Sequence, residues 1–109
     1  MTKTTPTIVG KWRITGMSTR DRAYIDLVEP GFITFATHEM GEMAFGVVTA
    51  TVDCAFDAGK TDVSFEFTGS DEGDEISGAG SAELTGPNTI KGEIEFHNGD
   101  DTTFEARRW

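Results

Sequence analysis

The chain has 109 residues, with 9 Lys and Arg against 19 Asp and Glu for a formal charge of -10, one Cys, three Pro and 13 Gly. That length holds one domain with one modest core, since single cores are built from roughly 100–150 residues, and it excludes a two-domain enzyme. No run reaches the ~18 apolar residues of a membrane span, and the opening MTKTTPTIVG lacks the apolar stretch of a signal peptide, so the expected compartment is the cytoplasm.

Residues 1–7 form an expected flexible lead, and 8–109 a single domain. Apolar and polar residues alternate at period two through most of the chain, the pattern of half-buried strands. In the first run, 8–16, Ile8, Trp12 and Ile14 share one face, while Lys11, Arg13 and Thr15 share the other. The segment 18–27 opens with capping residues and stops before Glu29-Pro30-Gly31, so a short helical turn or ordered loop is expected. Its Tyr24, Ile25 and Leu27 then close one end of the fold. A second strand over 32–36 turns back through 38–42 into a third over 43–51. Residues 52–57 and 61–67 make a further hairpin around Gly59-Lys60, with Val63, Phe65 and Phe67 on its inner face.

An acidic loop over 69–75 leads to a strand over 76–84, whose Gly78 and Gly80 suggest a bend or a close approach. Thr85-Gly86-Pro87-Asn88 turns into 89–97, where Ile90, Ile94 and Phe96 face in and Lys91, Glu93, Glu95 and His97 face out. Asn98-Gly99 marks a tight hairpin turn before the last strand, 102–109. Eight strands joined mostly by short turns, with no crossover helix, predict an all-β antiparallel up-and-down barrel that pairs its last strand with its first. A two-layer sandwich would use the same alternation.

Gly10-Lys11-Trp12 on the first strand, with Arg107 and Arg108 on the last, resembles the Gly-x-Trp opening and closing Arg of lipocalin-like and avidin-like barrels. The resemblance implies that Trp12 plugs one end of the barrel and that one of the two arginines packs across its ring. The chain is also similar over most of its length to a group of short bacterial proteins with no assigned activity. The residues that carry this are 10–14, Tyr24-Ile25-Asp26-Leu27 and Phe96 to Asp101. It implies a shared fold. The long lid loop and C-terminal helix usual in lipocalins have no counterpart here.

The acid is unevenly spread: 5 basic and 6 acidic residues precede Ala55, and 4 basic and 13 acidic follow from there. Such a surface repels phosphate backbones and anionic lipid, which excludes nucleic acid and membranes as expected partners. No cofactor or metal is expected. His38 and His97 have no partner at ligand spacing, and Asp71-Glu72-Gly73-Asp74-Glu75 lacks the alternation of a calcium loop. Cys54, in step with Val52 and Phe56, reads as a small buried side chain. No nucleophile elbow or phosphate loop is present, and the acid–base candidates Tyr24, Asp26, Glu29 and His97 suit turn and capping roles. An enzyme is therefore not the expectation.

Two function classes remain. The first is a barrel that binds a small apolar ligand inside, lined by Trp12, Phe45 (or Phe35), Phe56, Phe65, Phe67, Phe96 and Phe104. The second is a protein-interaction module, of inhibitor or immunity type. It would present Asp71, Glu72, Asp74 and Glu75, with the outward Glu66, Glu93, Glu95 and Glu105, to a basic protein partner. Either suits a monomer or homodimer, and Trp109 is the aromatic that a dimer contact would use.

Overall fold

The computed structural model describes residues 6–19, 22–37, 39–97, 99 and 101–109. The predicted turn residues His38, Asn98 and Asp100, with Arg20, Asp21 and most of the 1–7 lead, lie outside them. The elements are β1 (Gly10–Met17), α1 (Arg22–Ile25), β2 (Phe32–Phe35), β3 (Gly41–Phe45), β4 (Val48–Phe56), β5 (Asp62–Asp71), β6 (Asp74–Gly86), β7 (Thr89–Phe96) and β8 (Asp101–Arg108). Each strand pairs antiparallel with the next, and β8 returns to β1, closing an eight-stranded up-and-down barrel. Closure decides against the sandwich.

The strand pleat sends alternate side chains to opposite faces. In β5, Val63, Phe65 and Phe67 are buried, and Asp62, Ser64, Glu66 and Thr68 are exposed. The inward sets of all eight strands merge into one apolar cluster, joined by Ile8 before β1 and Ile25 from α1.

At the end where β1 begins and β8 finishes, Trp12 is fully buried and its Nε1 donates to the Ile8 carbonyl at 2.8 Å. The Arg108 guanidinium lies 4.1 Å from the centre of the Trp12 ring. It donates to the carbonyls of Val9 (3.2 Å), Thr7 (2.7 Å) and Pro87 (3.3 Å). Arg108 is therefore the arginine that closes the barrel; Arg107, opposite Arg13 in the register, points outward and is exposed. Ile8 belongs to the plug and not to the strand: its N–H donates to Lys60 O at 2.7 Å across the barrel end.

The opposite end is covered by residues 22–31, with Ser18 and Thr19. Ile25 is buried, and Tyr24 lies so close to Gly46 that a Cβ there would meet its ring. Leu27, expected to help close this end, is 62% exposed. After one helical turn the chain bends on Asp26, which accepts from Gly31 N–H (2.9 Å) and Arg13 Nη2 (3.0 Å), and so carries Leu27 away from the core. Ser18 Oγ accepts from Thr103 N–H at 2.9 Å, and Thr102 Oγ1 accepts from Thr19 N–H at 3.2 Å. Thr102 is the one buried polar side chain among the described residues.

Two boundaries differ from expectation. The predicted third strand, 43–51, is two strands: the chain reverses at Gly46-Val47, where Gly46 has a φ of 58°, and β4 runs unbroken past Thr51. The apolar alternation continues through the turn, so only the glycine signals it. The predicted acidic loop 69–75 is the end of a long hairpin. Only Glu72 and Gly73, with φ of 52° and 91°, form its turn, the two left-handed residues that a two-residue connection between twisted strands demands.

Gly78 and Gly80 are close approaches. A Cβ at Gly78 would meet the Glu95 carbonyl and the Phe67 ring, and one at Gly80 the Glu93 carbonyl and the Phe65 ring. Gly78→Ala is expected to lower the free energy of unfolding by about 1–3 kcal/mol in urea titrations, the usual cost of overpacking. Gly16→Ala, with nothing within 4 Å of the added methyl, should change it by less than about 0.5 kcal/mol.

Candidate functional site

Of the rings expected inside, Trp12, Phe45, Phe65, Phe67 and Phe104 are buried, as is Phe35. Phe56 and Phe96 are partly buried and pack against the cluster from its margin. Ring centres lie 5.6 Å apart for Phe35 and Phe65, 6.5 Å for Phe65 and Phe67, and 5.5 Å for Phe67 and Phe96. These spacings are those of aromatic pairs in direct contact. The thin places in the wall are occupied as well, since Phe67 fills the space beside Gly78, Phe65 that beside Gly80, and Phe104 that beside Gly92.

The outer face is organised by register. Asp71 and Asp74 are direct partners flanking the β5–β6 turn, while Glu75 is on the opposite face of the ribbon, across from Ser70. The four carboxylates 71, 72, 74 and 75 thus surround a tip and do not share one surface. A flatter acidic array lies on the barrel side. Asp53 of β4 faces Glu66 of β5, Glu66 faces Ala79 of β6, Ala79 faces Glu95 of β7, and Glu95 faces Asp101 of β8. All four carboxylates of this row are exposed, and none is in an ion pair among the described residues.

The row borders an open depression of about 400 Å³, lined by Asp53, Glu66, Cys54, Ala55, Ser64, Ala79 and Gly80 among others. A second depression, about 530 Å³, lies on the outer side of β2 to β5 between Glu29, Glu42, Phe32, Ala44 and the hydroxyls of Thr49, Thr51, Thr68 and Ser70. Both are on the outside of the barrel wall.

The acid–base candidates are engaged separately. Asp26 holds Arg13 and the Gly31 N–H, Tyr24 packs on Gly46, and His97 Nδ1 is 3.0 Å from Ser77 Oγ. No three His, Cys, Asp or Glu side chains among the described residues are placed to hold a metal ion. No helix among them is long and apolar enough to cross a membrane. Cys54 is half-buried, and burial pushes its thiol up; Asp53 adds to this, and a hydrogen bond to the Ala36 backbone opposes it.

From the sequence, Glu66 and Glu95 stand out as outward acids, but Asp53 and Asp101 do not, and the row itself is invisible. Its juxtapositions depend on the register of five strands, and the only available signal is the outward parity of each residue. The chain matches no family model, no curated protein and no solved structure.

A raised thiol pKa leaves little thiolate at neutral pH, and thiolate is the reactive form. Cys54 in the folded protein is expected to react with a soluble disulfide reagent at pH 7.5 at least about tenfold more slowly than in urea. Equal rates would show that the thiol is neither screened nor shifted.

Proposed function

We propose that this barrel is a binding module whose acidic outer face docks a basic protein partner. The observation that carries the proposal is the row of Asp53, Glu66, Glu95 and Asp101, two pairs of like charges placed directly opposite each other with no counter-charge among the described residues. Each such pair costs the isolated sheet about 0.2–1 kcal/mol. A cationic partner relieves that repulsion and gains the attraction, and the field of a chain at -10 steers it in. Small residues at Ala55, Ser64, Ala79 and Gly80 leave room for the aliphatic stem of a Lys or Arg beside Asp53 and Glu66. The Asp71 and Asp74 tip extends the negative surface beyond the barrel. A free thiol at Cys54 is consistent with a cytoplasmic setting.

The test compares D53N/E66Q/E95Q/D101N with a control that loses as many charges elsewhere, E29Q/E39Q/D62N/E83Q, all exposed positions. Each is titrated with a fluorescent basic peptide rich in Lys and Arg at low and physiological salt. The row variant should weaken binding more than about tenfold and the control less than about threefold. Its unfolding free energy should rise by about 0.5–1.5 kcal/mol as two repulsions are removed. Equal weakening in both variants would mean undirected charge attraction, and the proposal would fall.

The second reading is a small apolar ligand within the barrel. The resemblance to lipocalin-like and avidin-like barrels favours it through the Trp12–Arg108 contact, and so do Phe56 and Phe96, half-buried rings that a ligand would displace at the margin of the core. Native mass spectrometry of gently purified protein decides it. A stoichiometric adduct lost on denaturation is expected if the reading holds, and a bare chain that also gains no mass with a fatty acid or an aromatic probe removes it.

A further inference from the structure

The side of the barrel around β1 and β2 carries the opposite charge pattern from the acidic row. Lys11 Nζ lies between two rings, 4.5 Å from the centre of Phe32 and 4.3 Å from that of Trp109. Arg13 approaches the same Trp109 at 5.7 Å, and Phe32 meets it edge-on at 6.2 Å. Exposed Arg107 faces Arg13 across the β1–β8 seam. Together they form a cationic and aromatic knob, in which Arg13 is already paired with Asp26, on a chain that is otherwise strongly acidic.

Phe32 is shared with the neighbouring feature. Beyond it the wall recedes into the depression bordered by Glu29 and Glu42, with Phe32, Met43 and Ala44 among its apolar lining. Trp109 is 54% exposed on the knob, and Leu27 and Val28, which lead directly into Glu29, are 62% and 70% exposed. Leu27, Val28 and Trp109 are three of the four exposed large hydrophobic residues of the described chain, the fourth being Met40.

A cationic knob and an anionic hollow side by side, joined at one residue, are complementary under a twofold axis. Rotating a second copy by half a turn about a line through Phe32 brings the knob of each against the hollow of the other, the self-complementary arrangement of an isologous dimer. We propose that the Phe32 face is a homodimer contact in which Lys11 and Trp109 of each copy enter the Glu29 and Glu42 hollow of the other. Opposite charges then meet twice, and Leu27, Val28, Phe32 and Trp109 lose contact with water. Asp53 and Glu66 are each two residues along β4 and β5 from Thr51 and Thr68 of the hollow and so border its rim, while Glu95 and Asp101 stand on β7 and β8, outside its lining. Repulsion between the copies is screened over a Debye length of about 8 Å at physiological salt. This contact does not depend on the proposed function, since it rests on Lys11, Trp109, Glu29 and Glu42, none of which belongs to the acidic row.

The test is sedimentation equilibrium of the wild type, K11E and E42K, and of an equimolar mixture of the two variants. Both positions are exposed, and neither is in an ion pair among the described residues. The wild type should dimerise, and each variant, with like charges at both symmetric contacts, should dissociate at least about tenfold more readily. In the mixture the new carboxylate of K11E meets the new ammonium of E42K at one contact, and the unchanged Glu42 and Lys11 meet at the other, so dimers should return. They should not grow into longer species, which a head-to-tail contact would produce. A wild type that stays monomeric at millimolar concentration would overturn the proposal, as would dimers indifferent to both substitutions or a mixture that fails to restore them.

Discussion

Everything in this molecule hangs on the contact that turns a sheet into a barrel, the Arg108 guanidinium over the Trp12 ring. An open eight-stranded sheet would leave β1 and β8 with unpaired N–H and C=O groups, and closure removes both edges at once. The cation–π contact contributes about 0.5–2 kcal/mol. Its greater effect is geometric, because the same guanidinium also binds the carbonyls of Thr7, Val9 and Pro87. The start of the chain, the β6–β7 turn and the end of β8 are thereby held to one planar group. With the seam fixed, the inward face of every strand is fixed too, and so is the outward face on which the carboxylates stand in register.

Inside, aromatic rings and glycines are matched one to another. Phe67, Phe65 and Phe104 are large for so narrow a barrel, and each has a wall glycine beside it where a methyl would collide. Glycine in a strand is normally a weakness, since it packs nothing and loses more entropy on folding. Here the ring supplies the missing packing, and the strand gains a shallow outer surface where Gly80 stands next to Ala79. The depression beside Asp53 and Glu66 is the outward consequence of an inward packing solution.

Much of the architecture was legible from alternation alone. Val63, Phe65 and Phe67 against Ser64, Glu66 and Thr68 show a strand with one wet face, and repeated short turns made a barrel the natural outcome. Gly10 and Trp12 pointed to the closing end, and the parity of inward Phe104, four residues before Arg108 on an unbroken strand, is the signal that separates Arg108 from Arg107. The turn at Gly46-Val47 was hidden by the apolar residues on both sides of it. The acidic residues 71–75 looked like a loop because their composition is that of one, while a two-residue turn at Glu72-Gly73 was enough to reverse the chain. Candidate sites were the least legible part: a row of carboxylates set by five strands is written in no local segment, and neither is a knob built from positions 11, 32 and 109.

The meander order has a temporal side. Every strand after the first finds a partner in the segment synthesised just before it, so pairing from β1 to β7 can follow the chain as it emerges. The exception is the β1–β8 seam, which joins residues about ninety positions apart. Until β8 has left the ribosome, the β1 and β7 edges lack the strand that joins them, and Trp12 has no guanidinium above it. The interval between β7 and β8 is short, a single hairpin turn, and it is during that interval that a crowded cell has its best chance to pair the wrong edges.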